Sequence, residues 1–208
     1  MEKEKVTTPV EVVTAILDKS IPLFAQYGFS GVSIRHVTKT VGISIATLYY
    51  YFPDKKTLYL KSIEHAFLDK AKSMSDVINI PGTKEERLKL FIHHFTELMS
   101  NDANFRLLFQ REILEAEHSR LKRLAEQVFK ELFKNVLEFA KEISPKCDPH
   151  LMAISMIGLI LFHLETTPIR MFLPEGRAVH NETEVIANHV YLLLTKGLLK
   201  NGVLKCKP

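Results

Sequence analysis

The residues of this chain best suited to chemistry on a charged polymer lie between Ser33 and Lys55, in the run SIRHVTKTVGISIATLYYYFPDK. Thr47 offers a hydroxyl and a methyl group, which suit base edges and the thymine methyl. Tyr49, Tyr50 and Tyr51 place three phenols on successive helix faces, so at least one points outward. Tyrosine hydroxyls bond phosphate oxygens, and such contacts set the register of a protein on a duplex. Arg35 reaches a phosphate or a base from early in its helix. Lys55 opens a further helix, where its charge and the free amides together suit a phosphate.

Two short helices must hold these groups. Ser33 is a good N-cap for the first, which stops at Gly42. Glycine lets the chain turn sharply, Ile43 anchors the turn in the core, and Ser44 caps the second helix, which ends near Phe52. Leu48 and Phe52, four apart, hold that helix to the core. This is helix-turn-helix grammar. The second helix of such a unit enters the major groove with its first residues at the base edges, which brings in Ile45 and Ala46. Taken alone, the pattern also fits an ordinary helical hairpin.

Nearly every other segment reads as helix, so the fold class is all-α with about nine helices. Helix one runs from about Pro9 to Tyr27 and ends at Gly28; Pro22 inside it predicts a kink. Pro53-Asp54 breaks the chain, and Asp54 caps a fourth helix from Lys55 to about Ser73. Thr83 with Glu86 makes a capping box for a helix to about Ser100. Asp102 caps the next, to about Glu117, and Ser119 opens another that reaches Ile143. Asp148-Pro149 opens an apolar helix from Leu151 to about Thr167, which Pro168 ends or kinks. Asn181 with Glu184 resembles a second capping box, for a last helix to about Lys200.

From Val12 to Ala66 the sequence resembles the TetR-type bacterial regulators. The resemblance rests on Ile16, Phe24, Gly28, Ser33-Ile34-Arg35, Val37, Gly42-Ile43-Ser44, Thr47-Leu48-Tyr49-Tyr50, Phe52, Lys55 and Leu58. Beyond it only the layout is similar. The resemblance implies a homodimer with two N-terminal heads that bind a palindromic operator. It implies a C-terminal body with a ligand pocket, a four-helix dimer interface from the last two helices, and release of the operator when ligand spreads the heads. By resemblance, the DNA contacts are Arg35, Ser44, Thr47, Tyr49, Tyr50, Tyr51 and Lys55, with Ser33, Ile45 and Ala46 beside them. The chain departs from the family pattern at Ile45, where a basic residue is frequent, at Ala46, where glycine is, and at Tyr51, where histidine is usual. Lacking a Lys at position 45 removes a phosphate contact and flattens the salt dependence of binding.

The implied division is a DNA-binding domain over 1–56 and a ligand-binding and dimerisation domain over 57–208. The helix from Leu151 is apolar nearly all round, so it is buried on more than one side. Interface candidates are Leu151, Ser155, Gly158, Leu159, Val190, Leu194 and Gly197. Pocket candidates are the large apolar or adaptable residues Phe67, Phe91, Phe95, Phe105, Phe109, Met152, Met156, Phe162, His163 and Met171. His163 is a polar group in an apolar run and needs a partner, from a ligand or a carboxylate. Such a mix suits a mainly hydrophobic, small effector.

Other classes are set aside. No phosphate-binding glycine loop, His-Glu-x-x-His or nucleophile elbow is present, so no enzyme is expected. His93, His94 and Glu97, or His118, His163 and Glu165, have no diagnostic metal spacing, and neither a metal nor a cofactor is expected. The run Leu151–Leu164 falls short of the roughly 20 residues that span a bilayer. The polar start and two unpatterned cysteines, Cys147 and Cys206, suit a cytoplasmic protein. A rival reading on the same fold is a protein-interaction adaptor or an architectural DNA binder. The net charge of +4 is small. Residues 1–56 carry seven basic and five acidic side chains, and residues 57–208 carry 21 and 19. Bulk charge therefore cannot supply DNA binding, and a few well-placed groups must.

Overall fold

The computed structural model describes residues 8–197, and these contain helices and no strand. The helices are α1 (Pro9–Gly31), α2 (Ile34–Val41), α3 (Ile45–Tyr51), α4 (Lys55–Ile78), α5 (Lys84–Asn101) and α6 (Ala103–Glu115). They continue with α7 (His118–Leu124), α8 (Lys130–Ile143), α9 (Pro149–Glu165), the single turn α10 (Thr167–Arg170) and α11 (Thr183–Lys196). A π-helical turn, Ala125–Phe129, lies between α7 and α8. Leu198, Lys200 and Cys206 lie outside the described residues.

Most helix starts have the expected chemistry. The Thr8 hydroxyl accepts from Glu11 N, and Glu11 reaches back to Thr8 N at 2.7 Å. Thr83 and Glu86 make the same reciprocal pair. Asp54 accepts from Thr57 N at 2.6 Å, and Asp148 from Leu151 N at 2.8 Å. A cap of this kind satisfies an amide that has no intrahelical partner and is worth about 1 kcal/mol.

Gly28, where the sequence reading ends helix one, is the non-helical residue in α1, with φ 69° and ψ 177°; Pro22, where it places a kink, keeps helical backbone. Three other starts and stops differ from that reading. Ser119 does not cap α7: Glu117 does, accepting from both Ser119 N and Arg120 N, because its carboxylate offers more lone pairs than one hydroxyl. Asn181 does not cap α11. Its Oδ1 accepts from Arg170 Nη1 at 2.8 Å, and Glu182 precedes the helix without a side-chain cap. α4 runs five residues past Ser73, to Ile78.

The helices fall into two compact units. The first comprises the chain to Asp69 together with Asn104–Glu126, and the second Lys70–Ala103 together with the chain from Gln127. In the first unit Leu58, Tyr59 and Ile63 on α4 are completely buried, as are Ile16, Phe24, Val37 and Leu48. Burying one such side chain contributes about 1.5–3 kcal/mol. In the second unit α11 packs on α5, and α9 packs on α5, α8 and α11. Ile92, Ala140, Ala153, Met156, Ile160, Ala187 and Val190 have no exposed surface there.

Candidate nucleic-acid interface

Between α2 and α3 the chain turns in three residues. Gly42 takes the left-handed conformation, φ 86° and ψ 33°, which a side chain would strain. Its N–H and that of Ile43 both donate to Thr38 O, at 2.9 and 3.1 Å, which closes the end of α2. Ser33 caps α2 by accepting from His36 N at 3.1 Å. Ser44 caps α3 by accepting from Thr47 N at 3.0 Å. Leu48 and Phe52 are buried and pin α3 from below.

This register decides which groups face outward. Ile45, Ala46, Thr47, Tyr49 and Tyr50 are exposed, Tyr49 at 45% and Tyr50 at 83%. Tyr51 is half-buried, and its ring meets that of Tyr50 edge-on at 5.0 Å. The hydroxyls of Ser44 and Thr47 lie 2.8 Å apart. Arg35 is exposed, and its guanidinium has no partner among the described residues. The ammonium of Lys55 sits 4.5 Å from the centre of the Phe29 ring, a cation–π seat that fixes its position without neutralising it.

Behind this surface is an arrangement that sequence reading missed. Gly28 interrupts α1, so the last carbonyls before it lose their intrahelical donors. Arg111, on α6, supplies donors: Nε to Ala25 O and Nη2 to Gln26 O, both at 2.7 Å. A Cβ at Gly28 would lie 3.0 Å from the Arg111 guanidinium, so the glycine is needed for both conformation and approach. Next to it, the Tyr59 hydroxyl donates to Glu112, and Glu112 pairs with Arg120 Nε at 3.0 Å. Glu115 and Glu117 also face Arg120. The Tyr59 ring lies 4.8 Å from Phe24 and 5.2 Å from Phe29, so one residue links this cluster to the ring that seats Lys55. Burial, with Glu112 beside it, pushes the Tyr59 phenol well above its ordinary range. Burial works against the Arg120 charge, but Glu112 more than offsets this and raises its pKa. Glu112 and Arg120 are eight residues apart across a helix break, and no local period brings them to Tyr59.

The pocket candidates fall into both units. Phe67, Phe105 and Phe109 belong to the first, where Phe67 meets Phe105 at 4.4 Å and Phe109 at 6.0 Å. Phe91, Phe95, Met152, Met156, Phe162, His163 and Met171 belong to the second. Phe91 stacks with Phe95 at 6.1 Å, and both are buried, as is Met156. Phe162 is 71% exposed and Met171 is exposed, so neither lines an interior. The His163 ring meets His189 edge-on at 5.3 Å rather than a carboxylate. Burial, then His189 and Arg170, lower its pKa.

Of the interface candidates, Leu151, Ser155, Gly158 and Gly197 are exposed, while Leu159 and Leu194 are half-buried. Val190 is wholly covered by its own chain and has no surface to offer a partner. Ile154 and Phe162 complete an exposed α9 stripe at positions 151, 154, 155, 158 and 162, the spacing of one helix face. Among the described residues, no three acidic, histidine or cysteine side chains gather as a metal site would need. None of their helices is long and apolar enough to cross a membrane.

Comparison with known proteins gives a consistent result. Residues 16–61 match the model of bacterial regulatory proteins, tetR family. The chain is 38% identical over 52 residues to the biofilm operon icaADBC HTH-type negative transcriptional regulator IcaR of Staphylococcus epidermidis. That match covers 25% of this chain and only 28% of that protein. Among solved structures, the Bacillus subtilis regulator FadR in complex with stearoyl-CoA superposes with a TM-score of 0.73 at 19% identity, covering 89% of this chain and 99% of that one. AibR in complex with isovaleryl coenzyme A and operator DNA gives 0.68 at 21% identity, over 88% and 97%. Over residues 16–61 the chain is similar to the tetR family of bacterial regulatory proteins, and its described residues have the all-helical fold of these solved regulators.

Proposed function

We propose that this protein is a DNA-binding transcriptional regulator, a repressor that holds a palindromic operator as a homodimer and leaves it when a small, mainly hydrophobic effector binds. The observation that carries the reading is the outward face of α3. Thr47, Tyr49 and Tyr50 stand clear of a helix pinned by Leu48 and Phe52, with Arg35 and Lys55 at its flanks. In this reading α3 enters the major groove, where Thr47 and Ile45 meet thymine methyls and base edges. Tyr49, Tyr50, Lys55 and Arg35 hold phosphates.

The division proposed is a DNA-binding head over 1–56 and a ligand-binding, dimer-forming body over 57–208. The α9 stripe supports the dimer: Leu151 is 66% exposed and Phe162 71%, and an added Cβ at Gly158 meets nothing within 4 Å. A second copy is the natural cover for such a face, and two-fold symmetry then matches a palindromic site. IcaR is named a negative regulator, and the FadR and AibR structures hold acyl-CoA ligands, which support repression and an apolar effector. The protein is cytoplasmic and non-catalytic in this reading.

Selection of bound genomic fragments by the purified protein, followed by footprinting, tests it. The expected result is protection of a few palindromes; protection of none supports an interaction adaptor instead. On a selected fragment, Tyr49→Phe and Lys55→Ala weaken binding at matched salt with the melting temperature unchanged. Lys55→Ala also reduces the slope of log affinity against log salt by about 0.9 per protomer, the value of a single phosphate neutralised.

A further inference from the structure

The second unit holds a groove of about 800 Å³ between the start of α5, the connection from α8 to α9 and the end of α11. That volume lies within the range of small-molecule sites, about 300–1,000 Å³. Its lining divides by chemistry. Leu88, Ile143 and Met152 form an apolar part, and Leu88 belongs to the core. Lys84, Lys146 and Lys196 stand around it, against the single carboxylate of Glu85.

The charged groups are available. Lys146 and Lys196 make no ion pair among the described residues. Lys84 donates to the carbonyl of Glu142 at 2.9 Å, which leaves two of its three N–H groups. The Tyr191 hydroxyl, also in the lining, makes no hydrogen bond among the described residues. Three lysines from three separate elements line one groove with an apolar part. A cation would be repelled, and a neutral apolar molecule would leave the ammoniums unused.

We infer that this groove binds an aliphatic chain with an anionic head, the chain lying along Leu88, Ile143 and Met152 and the head held by Lys146, Lys196 and the Tyr191 hydroxyl. Charge-assisted bonds from two lysines fix the head, and burial of the chain supplies most of the affinity. The inference is independent of DNA binding, because the site is complete within the second unit.

Calorimetric titration of the full chain, without DNA, with decanoate, decyl phosphate and decanol tests it. The two anions are expected to bind saturably and about tenfold or more tighter than decanol, with the ratio between them reporting which head the site prefers. Lys146→Ala with Lys196→Ala is expected to weaken both anions about tenfold and to leave decanol unchanged. Both lysines are exposed, so the variant folds. Met152→Trp, which fills the groove, is expected to weaken all three ligands. Equal binding of decanol and decanoate, no binding of either anion, or undiminished anion binding by the double-lysine variant overturns the proposal.

Discussion

α3 and α9 each leave one face uncovered, and the two faces suit opposite surroundings. The α3 face ends in phenols, a hydroxyl and a methyl, groups that stay hydrated and exchange water for phosphate or base edges at little cost. The α9 face presents Leu151, Ile154 and Phe162 around Gly158, which gain by losing water altogether. The interiors differ in the same sense. The first unit buries the polar set Tyr59, Glu112 and Arg120, whereas the completely buried residues of α9 and α11 are apolar. A helix end interrupted at Gly28 needs donors placed to match its carbonyls, and directional bonds supply them. A face that meets another copy needs only shape and dryness. In the proposed reading, then, the polar network positions a recognition surface, and the apolar stripe supports assembly.

The sharpest way to break this contrast is to charge the apolar face. Leu151→Glu with Phe162→Glu is expected to abolish the proposed dimer, halving the mass seen by sedimentation equilibrium, while far-UV circular dichroism is unchanged. A dimer of normal mass removes α9 as the interface. Next in size is the buried network. Glu112→Ala leaves Arg120 buried without its main partner and is expected to cost about 3–5 kcal/mol in urea unfolding. Glu112→Gln, which keeps a hydrogen-bond acceptor, is expected to cost less. Equal losses for the two would mean that charge pairing does not matter there.

A smaller effect tests the recognition helix. Ser44→Ala removes the α3 cap and is expected to cost about 1 kcal/mol, whereas Ser44→Gly should cost only a few tenths, both read from urea midpoints. The smallest effect concerns His163, whose folded pKa is lowered by burial, His189 and Arg170. The unfolded chain then binds the proton more readily, so the stabilisation is present above the ordinary histidine pKa and is lost as pH falls below about 6.5. His163→Gln is expected to flatten the fall in melting temperature between pH 7 and 5.5. An unchanged slope assigns the fall to other groups.

Much of the recognition surface was legible because its causes are local. Ser33, Gly42 and Ser44 act on amides and carbonyls within four residues, so the α2–turn–α3 geometry follows from their order. Leu48 and Phe52 are on one face by helical period alone. Where local rules competed, reading failed. Glu117 displaced Ser119 as a cap, and Arg170 drew Asn181 away from α11. The pocket candidates show the limit most clearly. Large apolar side chains announce burial but not the neighbour they are buried against, so Phe162 and Phe91 looked alike in sequence, and only one is covered.

By itself the sequence determined which segments are helices, where most of them start, and that Leu48 and Phe52 hold α3 to the core while at least one of its tyrosines faces outward. These outcomes depend on propensity, caps and periodicity, all of which act within a turn or two. Only the tertiary structure decided that Arg111 closes the broken end of α1, that Tyr59 meets Glu112 across 53 residues, and that Lys84, Lys146 and Lys196 line one groove. Such encounters depend on how distant elements pack, and no residue encodes its partner at that range.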